Sequence, residues 1–335
     1  MLCCKADQFM RSITVERESW PIDGSFTISR GTKTSAEVIV VRVVQGELTG
    51  HGECVPYARY DETPDSVIEQ IQSQRAFVED GGDHIELQSR LPAGAARNAI
   101  DCALWDLAAK VAGNRAWEIA GVRSPAPVVT AYTLSLDTPE NMHEAALKHS
   151  DRPLLKLKLA GDGDLERVAA VRNGAPDSQI IVDANEGWSV ADYETMVPRL
   201  QDLGVSMIEQ PMPAADDSAL ADLERPVTVC ADESCHGLAT LEQLRGRYDM
   251  INIKLDKTGG LTEALALQRA AMAQGFEIMI GCMVATSLAM APATLLTVGA
   301  SIVDLDGPLL LAEDRDHALG YDNFSVAPPD PALWG

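Results

Sequence analysis

The first third of the chain has the pattern of strands followed by helices. A β-branched run, Val38–Val44, predicts a strand that ends at Gln45-Gly46-Glu47. The segment Gly24–Thr32 before it predicts a hairpin tip or a mobile loop. From about residue 64 apolar positions recur every three or four residues: Thr63-Pro64-Asp65 opens one helix, and Ala95–Val111 forms another with a buried face. We therefore expect an α+β domain over residues 1–125.

From about residue 128 short apolar runs alternate with helical segments. Eight strands are predicted: Val128–Leu134, Leu154–Leu159, Ile180–Asp183, Ser206–Glu209, Val227–Asp232, Met250–Lys254, Glu277–Ile280 and Ser301–Asp304. Helical segments lie between them, such as Leu165–Arg172, Ala191–Leu203 and Leu261–Gln274. Apolar rather than alternating strand interiors favour a parallel barrel over a sandwich. The fold class is therefore α/β, with a TIM-type barrel over residues 126–314 and a segment, 315–335, that packs back on the N-terminal domain.

Polar residues stand at the C-terminal ends of these predicted strands. They are Lys156-Leu157-Lys158, Asp183, Glu209, Asp232, Lys254 and Asp304-Leu305-Asp306. The steps between successive residues in the series Asp183, Glu209, Asp232 and Lys254 are 26 (209−183), 23 (232−209) and 22 (254−232) residues. A strand, a helix and two loops make a repeat of about that size, and the strand ends of a barrel face one mouth. We expect these side chains to converge there.

Charge and cysteine content narrow the function classes. Acids outnumber bases by 50 to 27, a net charge of −23, which argues against nucleic-acid binding. The seven cysteines are scattered without a CxxC pair, as in a reducing compartment. The N-terminus shows no apolar signal-peptide core, and no apolar run approaches the about 20 residues of a membrane span. We expect a cytoplasmic protein that binds neither nucleic acid nor membrane.

Three of the converging residues are carboxylates that suit a divalent metal. Asp183, Glu209 and Asp232 offer hard oxygen ligands from three consecutive strand ends. Mg²⁺ prefers such ligands and keeps positions open for water or substrate oxygens. Cys230 and Cys235 bracket Asp232, but a zinc site lacks the clustered histidine and cysteine partners it would need. The sequence predicts one Mg²⁺ ion here, for which Mn²⁺ can substitute.

These motifs together resemble a known family. Leu155–Lys158, Val182–Asn185, Ile208–Pro211, Ala231–Ser234 and Asn252–Lys254 resemble the muconate-lactonizing subgroup of the enolase superfamily. Further segments are similar to its L-Ala-D/L-Glu dipeptide epimerases: Ile28–Gly31, Ala99–Asp106, Ile253–Gly260 and Val303–Pro308. The resemblance covers residues 12 to 330 and leaves the first ten unmatched. It implies a modified (β/α)7β barrel with an N-terminal capping domain that carries the specificity loops.

The resemblance implies epimerisation by proton transfer between two lysines. A base must remove a proton next to a carboxylate, and a metal on that carboxylate stabilises the enediolate that forms. An acid on the opposite face returns the proton with inversion. Lys158 and Lys254, on the second and sixth barrel strands, meet this need across the mouth. Because a free lysine has a pKa of about 10.4, we expect the metal and neighbouring cations to lower the pKa of at least one.

Supporting roles follow for neighbouring residues. Lys156 shares the face of Lys158, because strand side chains repeat every two residues, and is expected to stabilise the enediolate oxygen. An alternative for Lys156 is a structural ion pair with an acid such as Glu233. Glu233 and Asn185 are expected to support the metal ligands rather than bind the metal.

Substrate selection is assigned to other residues. In the dipeptide epimerases the matching Asp-x-Asp pair, here Asp304 and Asp306, takes the α-ammonium group; a helix-capping turn is the alternative. Arg30 in the N-terminal loop suits a glutamyl side-chain carboxylate, with Lys33 as the competing cation. Cys282 and Met283, after the seventh strand, are expected to line the pocket.

The sequence therefore predicts an isomerase, an epimerase of L-Ala-D/L-Glu or other L-Ala-L-Xaa dipeptides that serves murein peptide recycling. The family also suggests a homo-oligomer. Alternatives within the subgroup are N-acylamino acid racemase, o-succinylbenzoate synthase and muconate cycloisomerase. A non-catalytic binding protein on a decayed barrel is the alternative from a different class.

Overall fold

The structure, a computed structural model, describes residues 11–335; Cys3, Cys4 and the rest of the first ten residues lie outside the described part. The capping domain opens with an antiparallel sheet of β1 (Arg11–Ile28), β2 (Gly31–Gln45) and β3 (Leu48–Cys54). Five helices follow: α1 (Pro64–Ser73), α2 (Arg75–Glu79), α3 (His84–Leu87), α4 (Ala95–Ala112) and α5 (Ala116–Ile119). The strand-then-helix order is the predicted one.

Local chemistry explains where these elements begin and how closely they pack. Thr63 caps α1, because its side chain accepts a hydrogen bond from the Ser66 amide, and Pro64 occupies the first helical position. Helix α4 lies directly on β3. A side-chain Cβ at Gly52 would stand 2.1 Å from the Ala99 carbonyl oxygen, so only glycine permits this approach. Of the two structures predicted for segment 24–32, a hairpin tip or a mobile loop, the structure shows the tip of the β1–β2 hairpin.

The second unit is a parallel eight-stranded barrel. Its strands are β5 (Tyr132–Leu134), β6 (Leu154–Lys158), β7 (Gln179–Asp183), β8 (Val205–Glu209), β9 (Thr228–Ala231), β10 (Met250–Ile253), β11 (Glu277–Ile280) and β12 (Ile302–Val303). Its helices are α6 (Pro139–Lys148), α7 (Asp164–Gly174), α8 (Val190–Asp202), α9 (Leu238–Leu244), α10 (Leu255–Thr258), α11 (Leu261–Ala273) and α12 (Ser287–Ala293). The Ala131 amide donates to the Val303 carbonyl at 2.8 Å and closes the sheet. The predicted fold class is confirmed.

The prediction of one strand over Val128–Leu134 is wrong in detail. Residues Val128–Val129 form a separate strand, β4, that pairs with β14 (Ser325–Val326) of a C-terminal hairpin whose other strand is β13 (Tyr321–Asp322). The chain changes sheets at Thr130, whose amide donates to Phe324 and whose hydroxyl accepts from Leu305. An apolar run in the sequence does not show that its two halves pair with different partners.

The C-terminal segment contacts both units. Trp334 is fully buried and donates its indole N–H to the Cys102 carbonyl of α4 at 3.0 Å. Arg315 forms ion pairs with Glu18 and Glu53 of the capping sheet, each at 2.6 Å. None of the helices in residues 11–335 has both the length and the apolar character needed to cross a membrane.

Helix α4 of the capping domain also holds the turn that follows β10. Arg97 donates to the Thr258 carbonyl at 2.7 Å and to the Gly259 carbonyl at 3.1 Å. Asn98 donates to the Asp256 carboxylate at 2.8 Å. Because this turn starts at Lys254, the capping domain helps to place a side chain at the barrel mouth.

Candidate active site

The barrel interior is built in layers that are two residues apart along each strand. The lowest layer takes one apolar side chain from or next to each strand: Ala131, Leu154, Ile181, Met207, Cys230, Met250, Met279 and Ile302. Two residues further along each strand stand Thr133, Lys156, Asp183, Glu209, Asp232, Asn252, Gly281 and Asp304. The next step reaches Lys158, Lys254, Met283 and Asp306. Period-two geometry therefore places polar groups above an apolar floor.

The three predicted metal ligands lie together in the first polar layer. Asp183, Glu209 and Asp232 are buried, and each offers one oxygen that lies within 4.8 Å of the other two. Glu209 Oε2 and Asp232 Oδ1 each contact a lysine ammonium at 2.6 Å but accept no hydrogen bond in good geometry. Burial and the nearby Asp183 carboxylate raise the pKa of Glu209. A buried, mutually repelling set of hard oxygens fits a divalent cation such as Mg²⁺.

Two of the predicted lysines flank this acid triad symmetrically. Lys158 Nζ contacts Asp183 Oδ2 at 2.6 Å, and Lys254 Nζ contacts Asp232 Oδ2 at the same distance. In strand order the acids lie at the end of β7, at the end of β8 and just after β9, with one lysine on β6 and the other just after β10. The two ammonium groups therefore approach the acid triad from opposite sides.

The charged groups of the protein, without a metal, set the pKa of Lys254 above its ordinary value. Burial acts to lower its pKa, but the Asp232 and Glu209 carboxylates raise it well above the usual range. The same opposition of burial against carboxylates raises the pKa of Lys156. The nearest charged groups of Lys156 and Lys254 are acids, so the predicted lowering of a lysine pKa depends on the metal.

Lys156 lies at the centre of the acids. Its ammonium contacts Glu209 Oε2 at 2.6 Å, Asp304 Oδ2 at 2.7 Å and Asp183 Oδ2 at 3.6 Å. The alternative prediction named Glu233 as a possible ion-pair partner of Lys156. Glu233 instead pairs with Arg30 at 2.8 Å, and Lys156 pairs with the three acids given above.

Two buried residues without a predicted role hold the proposed metal ligands in place. Asn252 donates to Glu209 Oε1 at 2.7 Å, and Lys257 contacts Asp232 Oδ1 at 2.6 Å. Glycine at position 281 makes room for the amide, because a Cβ there would stand 2.5 Å from Asn252 Oδ1. Two signals could have revealed them: Asn252 follows the period-two rule from Lys254, and Lys257 belongs to the motif that carries the resemblance.

The mouth of the barrel opens into a cavity of about 470 Å³ between the two units. Its lining includes Lys158, Lys254, Asp304, Asp306, Cys282 and Met283, as well as residues of the β1–β2 hairpin. Asp304 and Asp306 are buried, with 4% and 3% of their surfaces exposed. The structure thus brings Asp232 of the acid triad, the predicted lysines and the predicted ammonium-binding side chains to one cavity.

Arg30 reaches this cavity but is already engaged by protein groups. It donates to Glu233 Oε1 at 2.8 Å, to the Tyr57 hydroxyl at 3.0 Å and to the Asn185 carbonyl at 3.2 Å. Asn185 and Glu186 form a left-handed turn, with φ of 46° and 67°. Glu186 there pairs with Arg59 through two hydrogen bonds of 2.8 Å. These contacts join the capping loops to the barrel over the cavity.

Lys33 lines the same cavity three residues from Arg30. Among residues 11–335 no carboxylate lies within ion-pair distance of its ammonium, which lies 5.6 Å from the centre of the Tyr57 ring. Lys33 is exposed at the surface, and partial desolvation of its ammonium lowers its pKa. Lys33 is therefore more available to a ligand carboxylate than Arg30.

Comparison with known proteins adds independent information. Residues 10–121 match the model of the mandelate racemase / muconate lactonizing enzyme N-terminal domain. Residues 141–331 match the model of the enolase C-terminal domain-like family. Together these matches cover both units of the structure.

Individual relatives are similar over nearly their whole length. The L-Ala-D/L-Glu epimerase of Escherichia coli K12 is 48% identical over 314 residues, which cover 93% of this chain and 98% of the relative. The N-acetyl-D-glutamate racemase of a Pseudoalteromonas species is 48% identical over 301 residues, covering 89% and 95%.

Two solved structures are similar in fold and contain ligands. An enolase family member from Agrobacterium tumefaciens with homology to dipeptide epimerases, solved with sodium, L-Ala-L-Glu and an ordered loop, is 50% identical. Its TM-score is 0.96, with 97% of this chain and 100% of that chain covered. A dipeptide epimerase from Enterococcus faecalis V583 in complex with Mg and L-Leu-L-Tyr is 27% identical with a TM-score of 0.89, covering 96% and 97%.

Proposed function

The chain belongs to the mandelate racemase and muconate lactonizing enzyme family of the enolase superfamily, and from this premise we propose that it is a Mg²⁺-dependent dipeptide epimerase. It inverts the α-carbon of the C-terminal residue of L-Ala-D/L-Glu. The observation that carries the proposal is the placement of Lys158 and Lys254 at 2.6 Å from the two outer members of the acid triad. Two proton carriers on opposite sides of one substrate position are what a 1,1-proton transfer requires.

The two lysines transfer the α-proton, and the acid triad with its metal and Lys156 lower the free energy needed to remove it. Asp183, Glu209 and Asp232 hold the Mg²⁺ ion, which supplies positive charge to the substrate carboxylate and offsets the carboxylates' hold on the lysine protons. One lysine, in its neutral form, takes the α-proton, and the electron pair left behind delocalises into the carboxylate as an enediolate. The other lysine, as an ammonium, donates a proton to the opposite face. Lys156 stabilises an enediolate oxygen as negative charge grows on it.

The two ends of the substrate meet groups of opposite charge. Asp304 and Asp306 offer buried carboxylates to the α-ammonium of the alanyl residue. The glutamyl side-chain carboxylate lies near the capping hairpin, where Lys33 has an ammonium without a carboxylate partner among the described residues and Arg30 is bound to Glu233. In a chain with a net charge of −23, this local positive charge favours an acidic side chain.

Replacing Lys33 with methionine is expected to reduce selectivity for an acidic side chain. The change keeps the apolar stem over Tyr57 and removes a charge-assisted contact of about 1.5–3 kcal/mol, or about 10- to 150-fold. The measurement is kcat/KM for L-Ala-L-Glu and for L-Ala-L-Gln. The loss should fall on L-Ala-L-Glu alone, and Lys33→Arg should restore it. An equal loss with both dipeptides would assign Lys33 a structural role.

The proposed function is tested by α-proton exchange. L-Ala-L-Glu is incubated in D₂O with Mg²⁺ and the enzyme, and NMR follows both loss of the α-proton signal and appearance of the D-glutamyl epimer. Exchange together with epimer formation supports the proposal. Absence of exchange with L-Ala-L-Glu and with a panel of other L-Ala-L-Xaa dipeptides would overturn it.

A second candidate is racemisation of N-acylglutamate. The 48% identity to an N-acetyl-D-glutamate racemase favours it over the cycloisomerase and synthase activities of the same subgroup. N-acetylglutamate shares the glutamyl part of the dipeptide, and therefore the same lysines and cations serve it. Only the amino terminus differs, and that end meets Asp304 and Asp306.

The cellular role is also part of the proposal. A dipeptide of L-Ala and Glu is a fragment of murein, so we propose that the enzyme acts in murein peptide recycling, in the cytoplasm. The acidic surface supports a small-molecule substrate rather than nucleic acid. A homo-oligomer remains an expectation that sedimentation can test.

A further inference from the structure

One oxygen at the ammonium-binding end of the cavity has no donor. Asp304 Oδ2 accepts from Lys156 Nζ at 2.7 Å, but Asp304 Oδ1 is buried and accepts no hydrogen bond. A buried acceptor without a donor is costly, about 1–3 kcal/mol and more when it is charged. Asp304 lines the cavity at the end to which the proposed function assigns the amino terminus of the substrate.

Asp306 lies two residues further along the same face. Its Oδ2 accepts from the Thr133 amide at 2.6 Å, and 3% of its surface is exposed. Burial first, and the Asp304 carboxylate second, raise the pKa of Asp306 to about 7. The other titratable groups that face it are Lys156, Cys282, Tyr132 and Tyr321. Lys156 is the cation among them, and it already lies between Asp304 and Glu209.

This geometry leaves two ways to satisfy the pair. A substrate ammonium can donate to both carboxylates, in which case both stay ionised. In its absence, a proton on the pair removes one of the two neighbouring buried charges. An N-acetyl group has the same amide carbonyl as the alanyl residue but no ammonium, so it supplies no cation to the pair, and a proton is then what removes one of the two buried charges.

We propose that the Asp304–Asp306 pair accepts two classes of substrate amino terminus: a dipeptide ammonium when both carboxylates are ionised, and a neutral N-acyl group when the pair carries one proton. The inference rests on the proposed function and deepens it. The enzyme then acts on both L-Ala-Glu and N-acylglutamate, and the proton on this pair selects between them.

The sign of the pH dependence follows from proton counting. Dipeptide binding requires the ionised pair, so the productive fraction is complete above the pKa of the pair and is lost as the pH falls through it. N-acyl binding requires the protonated pair and changes in the opposite direction. The ratio of the two kcat/KM values therefore rises about tenfold per pH unit. The protonation states of the catalytic lysines cancel in this ratio, since the same free enzyme serves both substrates.

The experiment is an internal competition between two substrates. L-Ala-L-Glu and N-acetyl-L-glutamate are mixed with the Mg²⁺-loaded enzyme in D₂O, and NMR follows loss of each α-proton between pH 6 and 7.5. The upper limit keeps the dipeptide ammonium, with a pKa of about 8, mostly charged. The dipeptide-to-acyl ratio is expected to rise about 30-fold over this range.

Asp306→Asn supplies the matched variant, because its side-chain oxygen can still accept from the Thr133 amide. Its ratio should be low and independent of pH, whereas Asp322→Asn, at an exposed site on β13, should behave as wild type. Asp304→Asn is less selective, since it also disturbs Lys156.

Outcomes separate the inference from the function beneath it. A ratio that stays constant with pH while both substrates exchange would overturn the inference and leave the proposed function intact, as would absence of N-acetylglutamate exchange at every pH. If neither substrate exchanges its α-proton at any pH, the proposed function itself is overturned. If Asp306→Asn fails to fold, the wild-type slope alone decides.

Discussion

Replacing Lys254 with alanine is expected to slow epimerisation of L-Ala-L-Glu by about 10²- to 10⁴-fold, the usual contribution of a positioned proton carrier. The remaining lysine, Lys158, still reaches one face of the α-carbon. It can remove the proton of the enantiomer on its own side and return a deuteron to that same face. The Lys254→Ala variant should therefore exchange the α-proton of one epimer with retention, and Lys158→Ala should exchange that of the other.

NMR in D₂O with each purified epimer measures this separation of exchange from inversion. Lys254→Arg is the control, because it keeps a cation beside Asp232 but does not lose its proton at neutral pH. It should be as slow as Lys254→Ala while retaining more of the wild-type thermal stability. Equal exchange of both epimers by either alanine variant would contradict the two-lysine assignment.

The second large effect is expected from Glu209→Gln. Glu209 lies at the centre of the acid triad and its surface is fully buried. Glutamine preserves the shape but removes the charge, so affinity for Mg²⁺ should fall at least as far as the 10- to 100-fold typical of losing a residue that only supports a ligand. Activity at limiting Mg²⁺ should fall in parallel. Chelation of the wild-type enzyme should have the same result, reversed by Mg²⁺ or Mn²⁺.

Thermal unfolding gives a readout that does not depend on turnover. Mg²⁺ at about 100 times its Kd should stabilise the wild-type protein by about 2.7 kcal/mol, and this gain should be lost in Glu209→Gln at the same concentration. Without metal the variant should be at least as stable as wild type, because burial and the nearby Asp183 carboxylate disfavour the ionised form of Glu209. A normal Mg²⁺-dependent stabilisation of Glu209→Gln would exclude Glu209 as a ligand.

Strand periodicity explains why much of the site could be predicted. Asp183, Glu209 and Asp232 each follow a buried apolar run, and in a parallel barrel that position has one direction to face. Side chains two residues apart on a strand point the same way, so the apolar residue two places before each acid identifies the layer below it. These residues are Ile181, Met207 and Cys230, which form the floor beneath the three acids. Convergence of the carboxylates was therefore contained in the local sequence.

Contacts between distant segments could not be predicted in this way. Arg30 donates a hydrogen bond to Glu233, which is 203 residues away in the sequence. The Glu233 carboxylate neutralises the charge of Arg30, which the sequence alone presents as a free cation. Similarly, the pKa of Lys254 depends on which neighbours face it, and the sequence places both lysines and acids at the mouth without showing which of them are in contact. The positions of Asn252 and Lys257 could be flagged from the sequence, but their roles could not, because those roles depend on the carboxylates that the two side chains contact.

The hydrogen bonds that Arg97 donates to the Thr258 and Gly259 carbonyls have a consequence for protein engineering. A chimera that joins the capping domain of one relative to the barrel of another changes the substrate loops and, with them, the support beneath the turn after Lys254. Altered selectivity in such a hybrid would come with a displaced lysine unless α4 and the 254–260 turn were exchanged as a unit. A working chimera therefore has to exchange both sides of the contact between α4 and this turn, and not simply one continuous domain of the chain.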